Sequence, residues 1–244
     1  NILIQSAAML TADTSISLAA DGNITLQSGS ELDAGTFVLV DAGNDILLQG
    51  GSRVEAGTTV TLTADNNVTV HDGAVVVAGT NVHITGDVVL IDDAVVTADA
   101  GSITIDGTSI TITDSALVTA QDDVSAAATS FVLIEDSSVV TAQTGQVSLT
   151  GGTTVTVQSS AEVLALLGAI SMAANGGALT VTSGARVDAG TTVTGTATDN
   201  AGNSATASVT TAPADATAPT ITAAVAPAPN AAGWNRSDAT VTFT

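Results

Sequence analysis

The chain has 244 residues, 45% hydrophobic and only 2% aromatic, with no cysteine, and 24 acids against three arginines (Arg53, Arg186 and Arg236) give a formal charge of −21. Without cysteine there is no disulfide or thiolate chemistry; with so little positive charge, nucleic-acid phosphates and anionic membrane surfaces are poor partners. No apolar run approaches the roughly 20 residues of a membrane span, and no charged-then-apolar leader stands at Asn1.

The chain opens on an alternating apolar pair, Ile2 and Ile4, followed by Leu10 and then a second pair at Ile16 and Leu18. This succession returns. The first column runs Leu10, Leu32, Val54, Val76, Val96, Val118, Val140, Val163 and Val187, in steps of 22, 22, 22, 20, 22, 22, 23 and 24 residues. The second pair recurs from Ile16/Leu18 through Val38/Val40, Val60/Leu62, Val82/Ile84, Ile103/Ile105, Val124/Ala126 and Val147/Leu149 to Ile170/Met172. The third runs from Ile2/Ile4 through Ile24/Leu26, Ile46/Leu48, Val68/Val70, Val88/Leu90, Ile110/Ile112, Val132/Ile134 and Val155/Val157 to Leu179/Val181.

A fixed period near 22 residues, with period-2 alternation inside each segment and Gly, Asp, Asn or Ser between segments, specifies a β-solenoid. One lap cannot bury its inward row alone; stacked laps can, each strand pairing in parallel with its counterpart about 4.8 Å along the axis. Parallel strands prefer right-handed crossovers, so the expected fold is all-β, a right-handed parallel β-helix of about eight complete laps. The aliphatic, aromatic-poor composition suits such a narrow core.

Local variations fit this frame. The 20-residue step from Val76 to Val96 is expected at Gly86-Asp87, where a longer Ala-Asp-Asn-Asn turn is replaced, and Asn175-Gly176-Gly177 accommodates the long last step. Residues 161–174 are rich in Ala and Leu, yet Ile170 and Met172 hold the register and read as strand. The first lap begins partway through, leaving Ile2 and Ile4 on an open end. Either the protein continues upstream or another subunit covers that end.

Past residue 190 the texture changes: Gly195 stands where an aliphatic is expected, and the chain reads TVTGTATDNAGNSATASVTT. Thr196, Ala197, Asp199, Ala201, Gly202 and Asn203 resemble the closing hairpin of bacterial immunoglobulin-like repeat domains. That resemblance implies the organisation 1–190 β-solenoid, 191–211 hairpin, 212–219 a Pro/Ala-rich linker, and 220–244 the opening strands of an incomplete immunoglobulin-like repeat, with Trp234 in its core. The pattern of residues 1–190 is similar to the solenoid shafts of filamentous-haemagglutinin-type adhesins and large repetitive bacterial surface proteins, which implies an extracellular or cell-surface location.

Two surface columns are candidate sites. Asp72, Asp92, Asp114 and Asp136 each stand two residues after a third apolar pair, and such a carboxylate ladder is a candidate Ca²⁺ site. The plainer reading is that Asp is an ordinary turn residue, and the Ca²⁺-binding nonapeptide is absent; no other cofactor is expected. Val75, Val95, Leu117 and Val139 precede inward residues and by alternation face outward, where flanking laps carry Glu31, Arg53, Glu162 and Arg186. Stacked exposed aliphatics mark contact with another molecule, unless a bulge tucks them inward. The expected interface residues are these four with Ile2, Ile4, Trp234 and Phe243. His71 and His83 read as solvated, and Thr97, Thr119 and Thr141 as a short threonine column.

Catalysis is not expected: the shaft lacks Lys, Tyr and the aromatic-lined groove a glycan-acting β-helix enzyme uses. The expectation is a structural subunit of an extracellular bacterial fibre, self-associating through open solenoid ends and by strand complementation from the C-terminal segment. The alternative is a shaft segment of a long single-chain surface adhesin.

Overall fold

The computed structural model describes residues 1–210 together with the backbone of two further strands, Ala223–Ala226 and Thr240–Phe243. Residues 1–211 form one unit and 212–244 another. The first unit is a parallel β-solenoid of nine laps, each presenting three faces.

The first face holds one four-residue strand per lap, Met9–Ala12, Glu31–Ala34, Arg53–Ala56, Val75–Ala78, Val95–Ala98, Leu117–Ala120, Val139–Ala142, Glu162–Ala165 and Arg186–Ala189, paired in that order. The laps are numbered 1 to 9 from these strands. The second face begins with Ser15–Ala20 and ends with Thr192–Thr198; the third begins with Ile2–Ile4 and ends with Leu179–Val181. In the middle laps these two faces are carried by single bent strands, Asn81–Asp92, Ile103–Thr113 and Val124–Ile134, so they merge into one sheet.

The expected columns stack. Val54, Val76, Val96 and Val118 are partners in register, as are Val60, Val82 and Ile103 on the second face. Alternation produces this: every second side chain enters a core in which Leu32, Val54, Leu62, Ile84, Ile105 and Leu149 are all fully buried. Each such aliphatic gains about 1.5–3 kcal/mol from leaving water. Residues 161–174 contain the strands Glu162–Ala165 and Ile170–Ala174 and no helix.

One pair differs from expectation. The inward residues of the third face in the lap after Val68 and Val70 are Val89 and Ile91, not Val88 and Leu90. The 20-residue step is two single deletions at separate corners. One is at Gly86-Asp87; the other is where Asp93 alone makes the turn that Asp72-Gly73 makes one lap earlier.

The corners are built by small groups stacked along the axis. A Cβ on Gly57 would lie 2.2 Å from the Gly35 carbonyl oxygen, and one on Gly79 2.1 Å from that of Gly57. Beside them Thr58 and Thr80 donate their hydroxyls to the carbonyls of Thr36 and Thr58 at 2.7 and 2.8 Å. Between the third and first faces a buried small residue fills laps 2 to 8, Ser30, Ser52, Ala74, Ala94, Ala116, Ser138 and Ala161, with Ala8 and Ala185 partly buried in the end laps. The Ser138 hydroxyl donates to Glu135 O at 2.6 Å, whereas the Ser30 and Ser52 hydroxyls are buried without a partner.

Residues 192–210 are not separate from the shaft. Thr192–Thr198 pairs in parallel with Ile170–Ala174 as the last rung of the second face, and Ser204–Thr210 returns antiparallel beside it. The compact unit that contains the solenoid runs through residue 211. Asp199 closes the turn: its carboxylate accepts the backbone N–H groups of Ala201 and Asn203 and the Asn203 amide, each at 2.9 Å. These donors, Asn203 first, hold its carboxyl below the usual range. At Gly195 the missing side chain is replaced from another face, since Leu179 Cδ2 lies 2.5 Å from where a Cβ would stand.

In the second unit Ala223–Ala226 and Thr240–Phe243 pair antiparallel, Ala223 opposite Phe243. The linker 212–219, Trp234 and the Phe243 side chain lie outside the described residues, as do the remaining residues assigned to an immunoglobulin-like repeat.

Candidate interaction surface

The first face is one uninterrupted sheet, its four-residue strands paired without a break from lap 1 to lap 9. Two outward columns cover it. The first reads Met9, Glu31, Arg53, Val75, Val95, Leu117, Val139, Glu162, Arg186, every step confirmed by backbone register. The four aliphatics in its centre face outward with strict alternation, so no bulge tucks them in; Leu117 is 39% exposed and the three valines half-buried.

The second outward column reads Thr11, Asp33, Glu55, Val77, Thr97, Thr119, Thr141, Leu164 and Asp188. Laps 4 to 7 therefore carry no charge on either column, a contiguous patch of valine, leucine and threonine on a chain of net charge −21. Alternation alone gives this second column, and Val77 and Leu164 extend the apolar patch beyond the four residues singled out from sequence.

Ion pairs bound the patch at both ends. Arg53 lies 2.5 Å from Glu55 in its own lap and 4.0 Å from Glu31 one lap below. Arg186 lies 2.5 Å from Asp188 in its own lap and 3.5 Å from Glu162 one lap below. The in-lap partner, two residues further along the same face, is the close one; the cross-lap partner is the looser.

The aspartate column is rearranged. The residues at the left-handed turn position are Asp72, Asp93, Asp114 and Asp136, with φ of 54°, 44°, 51° and 51°. Asp92 stands instead in register with His71 and Thr113. Its side chain still reaches its neighbours, and its carboxyl is pushed up by burial, by the Asp114 charge and hydrogen bond, and by Asp72, against a lowering from His71. The Asp136 carboxylate accepts from Thr113, and Asp72 lies 2.8 Å from His71 Nδ1. Among the described residues no three acidic or histidine side chains gather in a group able to hold a metal ion. Ile2 and Ile4 sit on the first rung of the third face, Ile4 buried against the core and Ile2 partly so.

His83 points outward on the second face. A shallow depression near Asn1 is lined by Asp21, Asp41 and Asp65. Comparison of the chain with known protein families, characterised proteins and solved structures finds no match.

Proposed function

We propose that the chain is a structural rod, a subunit of an extracellular bacterial fibre. The observation that carries this reading is the unbroken sequence of nine parallel rungs on the first face, backed by a fully buried aliphatic core along the same axis. Bending such a shaft breaks backbone hydrogen bonds on one side and opens core contacts on the other, so it transmits load. The rungs of the first lap, and the first- and third-face rungs of the last, offer the same backbone groups that hold neighbouring laps together, while the last second-face rung is already taken by Ser204–Thr210; a further lap stacks on the offered rungs by the same chemistry.

That further lap comes from another subunit in a fibre and from the same polypeptide in a long single-chain adhesin, the alternative reading. Strand complementation by the C-terminal segment belongs to the fibre reading. Electron microscopy of the purified protein separates the two. Fibres on the order of a micrometre long, built of repeating subunits, support the first; isolated rods of one fixed length support the second.

A further inference from the structure

We propose that the first face docks on the same face of a second copy of this chain, with the two shafts antiparallel. This contact is lateral and independent of end-to-end growth, so it stands or falls separately from the fibre reading.

Charge order selects the partner. A two-fold axis lying in the plane of the face, perpendicular to the shaft and between laps 5 and 6, sets lap 3 against lap 8 and lap 2 against lap 9. Arg53 then meets Glu162 of the second copy, and Glu31 meets Arg186 of the second copy. Inside that frame Val75 meets Val139 and Val95 meets Leu117, so the first column packs aliphatic on aliphatic, while in the second Thr97 meets Thr119, Val77 meets Thr141 and Leu164 faces Glu55. Sliding the register by one lap sets Arg53 against Arg186, or Glu31 against Glu162, which penalises both neighbouring registers.

A parallel pairing exploits the charges less well. It would set Arg53 against Glu55 and Arg186 against Asp188, acids each already held at 2.5 Å within their own chain. Glu31 and Glu162, at 4.0 and 3.5 Å, are the loosely held acids, and the antiparallel pair uses them. It also sets Asp33 near Asp188, an unfavourable contact that keeps the pair weak. Eight laps at about 4.8 Å by a strand about 13 Å long cover ~500 Å² per partner, at the lower limit for a specific interface, so dissociation in the micromolar range or above is expected.

Sedimentation velocity of the full chain, from about 1 µM to 1 mM at about 0.15 M salt, tests this, with melting curves showing that each variant is folded. Val95→Glu with Leu117→Glu raises the dissociation constant by at least ~100-fold without lowering the melting temperature, because both side chains face outward. Arg53→Glu raises it by about tenfold, and adding Glu162→Arg restores it to within about threefold. Those two residues are five laps apart in one chain, about 24 Å, so rescue can only act between chains. A wild-type chain that stays monomeric throughout this range overturns the proposal. So does a dimer untouched by V95E/L117E, or one in which Glu162→Arg fails to rescue Arg53→Glu.

Discussion

The Asp92 carboxyl lies against that of Asp114, one lap further along the axis, close enough for the two to share a hydrogen bond. Such a bond requires a proton, and burial and the negative neighbours favour keeping one, so the folded state holds the Asp92 proton above the ordinary carboxyl value of 3.8. Stability attached to this group is therefore present at low pH and lost as pH rises from that value through the folded one. Asp92→Asn removes the repulsion permanently. The variant melts higher than wild type at pH 7, by under about 0.5 kcal/mol because the site is largely solvated, and the gap closes below about pH 4. Melting curves at both pH values check the sign; a gap that widens on acidification would contradict it.

The buried serines divide into two kinds. Ser138 donates to Glu135 O, so Ser138→Ala loses a hydrogen bond and costs about 1 kcal/mol. Ser30 and Ser52 occupy the same column, where other laps carry Ala74, Ala94 and Ala116, and their hydroxyls are buried without a partner. Ser30→Ala and Ser52→Ala each leave stability unchanged or raise it by about 1 kcal/mol, which urea unfolding of the three variants measures side by side.

Much of this was legible in advance, because a solenoid repeats its own register: nine first-face residues, Leu10 to Val187, stack as the spacing requires. The error at lap 4 has a definite source. Val88-Val89-Leu90-Ile91 is a run of four aliphatics followed by Asp92-Asp93, so either alternation and either aspartate satisfies the pattern. Only backbone pairing of Val68 with Val89 decides between them. The outward patch was readable from alternation. The close in-lap pairs Arg53–Glu55 and Arg186–Asp188 were not, since side-chain rotamers choose between two acids that are both within reach.

Gly57 tests how tightly the laps stack. Its φ is not in the left-handed region, so a substitution there is not limited by backbone conformation. The obstacle is the Gly35 carbonyl oxygen 2.2 Å from the added carbon, and backbone cannot swing aside as a side chain can. Gly57→Ala is expected to cost about 2–3 kcal/mol by forcing two laps apart at one corner. Thr58→Val beside it, which removes only an exposed hydroxyl bond to Thr36 O, costs about 0.5–1 kcal/mol. Equal costs in denaturant unfolding would mean that the corner is not close-packed.

Gly195 presents the opposite case. The atom in the way is Leu179 Cδ2, the far end of a flexible side chain. Gly195 pairs with Met172, so the lost aliphatic of the last second-face rung is replaced by a leucine leaning in from the third face. Gly195→Ala should therefore be nearly neutral, within about 0.5 kcal/mol, as Leu179 rotates away. Leu179→Ala removes the substitute and costs about 1–2 kcal/mol, less than a full core truncation because Leu179 is only partly buried. The two sites share one space, so their effects should not add: in Leu179→Ala, replacing Gly195 by Val recovers part of the loss. A double-mutant cycle on unfolding free energy reads this coupling, expected at about 0.5–1 kcal/mol, and strict additivity would show that Leu179 is not filling the place of the missing side chain.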